Sequence, residues 1–113
     1  MIGAVMVATV LLYSGIENPS WRVPPARAAE VVRAMDAMPE IACGQPAAGG
    51  LGYTGVRLSI NAPDGVERIW TFASSIAVSD QRCFADAGRR VERMLLETGR
   101  SHIDASLLAS ILR

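Results

Sequence analysis

Ala4-Val5-Met6-Val7-Ala8-Thr9-Val10-Leu11-Leu12-Tyr13 is apolar along almost its whole length, and its conformation governs how the remaining segments are read. A bilayer-spanning helix takes roughly 20 apolar residues, so this run is too short to cross a membrane. No basic residue precedes it and no small-x-small cleavage site follows cleanly, which argues against an export signal. Its β-branched residues, ended by Ser14-Gly15, predict a buried strand. Alternate strand residues point to opposite faces, so Val5, Val7, Thr9, Leu11 and Tyr13 share one side and Ala4, Met6, Ala8, Val10 and Leu12 the other. A strand covered on one side alternates apolar with polar residues. This one does not. It is expected in the interior of a sheet, with helices or a second copy of the chain over each face.

Downstream, Pro24 and Pro25 open a helix, because proline suits a first turn whose N–H groups lack partners. Ala28, Val31, Val32, Met35 and Met38 recur at helical spacing, and Pro39 stops it. Residues 39–52, rich in Pro, Gly and Ala, read as a surface loop. Val56, Leu58 and Ile60 alternate with Arg57, Ser59 and Asn61, the pattern of a half-buried strand. Asn61-Ala62-Pro63-Asp64-Gly65 is a turn signal, and Val66 to Ala73 returns as the hairpin partner, with Val66, Trp70 and Phe72 on one face and Ile69 on the other. Ser74-Ser75 turns the chain into a short strand at Ile76-Ala77-Val78. Asp86 is the expected N-cap of a second helix that Gly99 ends, and a short final helix runs from Asp104 to Leu112. The expected fold is a single α+β domain over residues 1–113: an antiparallel sheet of three or four strands packed against two main helices, in the order β-α-β-β-(β)-α-α.

The chain has 113 residues, half of them apolar, enough for one domain with its own core. Eleven basic residues, all arginine, balance eleven acids. A neutral chain has no overall field to gather phosphates, so nucleic acid and anionic membranes are not expected partners. Cys43 and Cys83 match no zinc or redox spacing; with so few cysteines and no export signal they read as separate thiols, with a disulfide as the alternative, and the expected location is cytoplasmic, with an exported form as the alternative.

Three segments together resemble small bacterial proteins to which no activity is assigned. Tyr13-Ser14-Gly15-Ile16-Glu17-Asn18-Pro19-Ser20-Trp21 is similar to S-G-x-x-N-P-x-W after a strand. Leu51-Gly52-Tyr53-Thr54-Gly55 is similar to L-G-Y-x-G at a strand entry. The stretch Asp86 to Leu96 is similar to D-x-G-R-x-x-E-x-x-L-L on a helix. The arginine usual after the first S-G is Ile16 here, which removes a charge from that loop. The resemblance implies one compact domain and brings no activity with it.

Catalytic signals are sparse. His102 is the only histidine, which excludes multi-histidine metal sites, and no cofactor is implied. Ala48-Gly49-Gly50-Leu51-Gly52 precedes a strand, whereas a phosphate loop follows a strand and opens a helix. Arg89, Arg90 and Arg93 are interleaved with Glu92 and Glu97 and read as a solvated, salt-bridged helix face. The residues singled out for binding are Asn18 and Trp21 in the first loop and Tyr53 at a strand entry. Trp21 is either a lid on the core or an exposed anchor. The leading expectation is a non-enzymatic module that binds protein or itself, through the Trp21 loop or an open sheet edge, with an inhibitor or immunity role as one form of this. The competing readings are a small enzyme using Cys83 or Asp80 with His102, and single-stranded nucleic-acid binding through Tyr53, Trp70 and Arg57.

Overall fold

The apolar N-terminal run is a strand, β1 (Val5–Tyr13), in the computed structural model, which describes residues 4–13, 17–44 and 52–113. The Ser14-Gly15 strand stop, Ile16 and the Gly-rich run 45–51 lie outside the described residues. The elements that follow are β2 (Ser20–Arg22), α1 (Pro25–Asp36), β3 (Glu40–Ile41), β4 (Gly52–Asn61), β5 (Glu67–Ala73), β6 (Ile76–Ser79), β7 (Arg82–Ala85), α2 (Arg90–Thr98) and α3 (Ala105–Ile111). All strands join one antiparallel sheet in the order β2-β1-β4-β5-β6-β7-β3.

The sheet is therefore larger than the expected three or four strands: seven strands are present among the described residues, with three α-helices instead of two main ones. The three additional strands are β2, β3 and β7, of three, two and four residues. Segments that short cannot display a period of two, so hydrophobic alternation carries no signal for them. Pairing with longer neighbours makes them strands: Trp21 faces Ala8, and Ile41 faces Cys83. The Ser74-Ser75 turn and β6 after it stand where they were expected, whereas the turn that folds β7 back gave no such signal. Ser74 and Ser75, then Asp80 and Gln81, all have positive φ, as two-residue type I′ hairpins require. Neither pair carries the Asn-Gly or Asp-Gly signature of such turns.

Alternation in β1 sorts its residues as expected. Met6, Ala8 and Val10 are buried beneath the helices. Across the strands, Val10, Val56, Phe72 and Ala77 form one transverse row without solvent exposure. Val31, Ala34 and Met35 of α1, Val91, Leu95 and Leu96 of α2, and Leu108 and Ile111 of α3 pack on this same core. All three helices thus cover one face. The smallest dimension of the molecule, 23 Å, fits a sheet with a single helical layer. No helix among the described residues is long and apolar enough to cross a membrane.

Cys43 and Cys83 are not separate thiols. They form a disulfide across a sequence separation of 40 residues, because pairing of β3 with β7 brings their Cα atoms to 5.3 Å. The bond clamps the far edge of the sheet. Reducing it releases a closed loop, and the chain-entropy argument expects a loss of up to about 4 kcal/mol of folding stability. Urea unfolding with and without reductant measures this; coincident curves would show that the clamp contributes nothing.

At the opposite edge the Trp21 indole lies against Gly99, where a Cβ would fall inside the ring. Gly99→Ala must push the indole out of place and is expected to destabilise by about 1–3 kcal/mol. Chemical denaturation reads this directly, with a loss of near-ultraviolet tryptophan dichroism as the local signature.

Candidate functional site

Two polar clusters and one open surface compete for a functional role. The first cluster is built on Glu92, only 1% exposed although α2 is otherwise amphipathic. Tyr53 of β4 donates its hydroxyl to Oε2 of Glu92. Arg89 donates to both carboxylate oxygens, Nη2 to Oε2 at 2.8 Å and Nε to Oε1 at 3.3 Å, while its Nη1 reaches the Ile111 carbonyl at 3.1 Å. Gly88 and Arg89 both adopt positive φ, which swings the guanidinium back over the helix start. Asp86 completes the arrangement: its carboxylate accepts from the backbone N–H groups of Val91 at 2.8 Å and Glu92 at 3.1 Å. The expected capping role is thus fulfilled from ahead of a turn of 3₁₀ helix. Burial, then the bond to Glu92, holds the Tyr53 hydroxyl well above its usual range, so it stays a donor. The Glu92 contact likewise raises the Arg89 guanidinium. Each group in this cluster is occupied by another, and its work is to bind β4, α2 and α3 together.

The second cluster surrounds Trp21. Its indole is 4% exposed, a lid on the core, with Nε1 donating to Thr98 Oγ1 at 2.9 Å. His102 stacks on it from outside, centroids 6.1 Å apart. Asn18 accepts the backbone N–H of Leu12 at 2.8 Å. Asn18, Trp21 and Tyr53 therefore share no binding surface, and Oδ1 of Asn18, Nε1 of Trp21 and the Tyr53 hydroxyl are engaged within the chain. Cys83 is disulfide-bonded on β7, at the far side of the sheet from the β2 edge where His102 stacks on Trp21. Arg57 projects from the opposite face of the sheet to Trp70, whose cross-strand partner is Leu58, and Tyr53 reaches the helices. Of the charges interleaved along α2, Glu97 pairs with Arg100 just beyond the helix, at 2.6 Å.

The open surface is the sheet face away from the helices. Register places Val5, Val7, Thr9 and Leu11 of β1 there, beside Arg57 and Ser59 of β4, Ile69 and Thr71 of β5, Ile76 and Val78 of β6, and Ile41 of β3. Ile69 is 48% exposed, Val78 40%, Ile76 39% and Ile41 38%, four of the five large apolar side chains exposed among the described residues. Arg57 stands exposed near the centre and forms no ion pair among the described residues. Glu67, at one end of the face, accepts the Ser59 hydroxyl at 2.7 Å. The sequence carried one signal for this surface, the apolar residues on both sides of β1.

No family model, curated protein or solved structure matches this chain.

Removing Arg89 leaves the buried Glu92 carboxylate with Tyr53 as its sole side-chain donor. Arg89→Ala is expected to cost about 3–5 kcal/mol, the range for breaking one side of a buried pair. Double replacement with Glu92→Leu should recover much of that loss, measured by thermal and chemical unfolding. Equal stability of Arg89→Ala and wild type would sink the structural role assigned to the cluster.

Proposed function

We propose that this protein is a non-enzymatic interaction module that binds another protein surface through the open face of its sheet. The observation that supports this is the collection of exposed aliphatic side chains on that single face. Scattered exposed apolar residues are ordinary on any protein, but a contiguous group marks a contact surface. Thr9, Ser59, Thr71 and Arg57 stand among these side chains and supply polar contacts of the kind that such surfaces also carry. The sheet edges are poorer candidates: β2 and β3 are three and two residues long, too short to template a further strand. The Cys43–Cys83 disulfide supports an oxidising compartment over the cytoplasmic one expected from the sequence.

A photo-crosslinking residue at Ile69 or Val78, in the cell that naturally makes the protein, tests the reading. Both positions are expected to give a discrete protein adduct, while the same probe at Ala109 on the exposed side of α3 gives none. Silence at both sheet positions would remove the proposal.

A further inference from the structure

We infer that the surface occupying the open face is that of a second copy of this chain, packed sheet to sheet across a two-fold axis. This rests on the open-face reading above and names its partner.

Size, charge and symmetry all point this way. β1, β4, β5 and β6, of nine, ten, seven and four residues, present a face of roughly 500 Å² in projection at ~3.3 Å per residue and ~4.8 Å between strands. Side-chain relief raises its accessible area toward the roughly 800 Å² each partner gives to a stable interface. Stacking two such faces produces a four-layer assembly with both sheets internal. The apolar residues on the second side of β1 then lie in an interior, as a strand apolar on both sides requires. A formal net charge of zero means that two copies meet without overall repulsion.

The charges on the face fit a copy of themselves. Val7, Ser59 and Ile69 stand at one level across the strands. Arg57 is one step from that level toward one end; Asn61 and Glu67 are one step toward the other. A two-fold axis crossing the strands at the Ser59 level exchanges the two ends. It lays Arg57 against the partner's Asn61 and Glu67, and Ile69 against the partner's Ile69. Each chain contributes one cation and one anion, so two equivalent contacts form, as an isologous interface demands. Arg22, beside Val7 on the edge strand, stays at the wet rim where its charge is screened.

Sedimentation equilibrium of the purified, disulfide-intact protein at micromolar concentration is expected to give twice the chain mass. Ile69→Glu should be monomeric with unchanged far-ultraviolet dichroism, because the site is half exposed in a single chain. Arg57→Glu should raise the dimer dissociation constant about tenfold or more, and Arg57→Glu with Glu67→Arg should bring it back toward wild type. A monomeric wild type, an Ile69→Glu variant that remains dimeric, or a charge reversal without recovery overturns the inference. The crosslinking outcome separates the two readings: an adduct at Ile69 with a different protein leaves the interaction module standing without self-association, and no adduct removes both.

Discussion

The buried Glu92 carboxylate holds this architecture in place. A charged group taken out of water must be matched by donors in good geometry, or its burial costs several kcal/mol. Here the donors come from two places, Tyr53 on β4 and Arg89 at the entry to α2, and Arg89 is tied onward to the end of α3 at Ile111. The helices cannot migrate to the other face, or exchange places on this one, without stranding that charge. Asp86, itself 1% exposed, secures the same junction by capping the first turn of α2. An apolar core would accept several helix orientations of similar energy. A satisfied buried carboxylate selects one.

With all helices committed to one side, β1 meets two different environments. Its even-numbered residues pack into the core, and its odd-numbered residues look outward with aliphatic side chains that a solvent-facing strand does not need. The neighbouring strands temper this exposure. Arg57, Ser59 and Thr71 place polar groups among the aliphatic ones on the outer face. Edge-to-edge growth is discouraged at both margins by the brevity of β2 and β3, and the disulfide ties down the chain just beyond β3. Such short margins disfavour open-ended sheet extension.

The sequence was legible where a segment is long enough to show its period or carries specific turn chemistry. β1, α1, the β4–β5 hairpin and α3 were expected close to where they lie, and Gly65 with φ +86° sits in the turn predicted for it. The short strands β2, β3 and β7, stabilised only by their neighbours, were not legible, nor was the hairpin turn made from Asp80-Gln81, whereas the Ser74-Ser75 turn into β6 was. The disulfide was missed for a related reason: nothing local reveals that Cys43, just beyond β3, is brought to Cys83 on β7 until β3 is known to pair with β7. Glu92 was read as part of a solvated charge pattern, although it lies one turn before Leu95 and Leu96 on the apolar stripe of α2. An acid in that position is a signal for a buried partner.

The segments that seemed most distinctive turn out to be the joints of the fold. Asn18 and Trp21 secure the first loop, Tyr53 and Gly55 shape the β4 entry, and Asp86, Gly88, Arg89 and Glu92 form the helix junction. Gly55 adopts φ +146°, and a Cβ there would stand 2.6 Å from the Phe72 carbonyl oxygen, so the glycine is required by the backbone approach at the β1–β4 irregularity. Distinctive polar residues invite a functional reading because they look expensive to keep. In this chain their cost is offset by fixing the helices to one face. The open face is made instead of Val, Ile, Thr and Arg at strand positions, residue types that are unremarkable one by one. Their meaning comes from register: only when the strands are aligned do Val7, Ile69 and Val78, distant in sequence, become one surface, and only then does the second apolar side of β1 acquire a purpose.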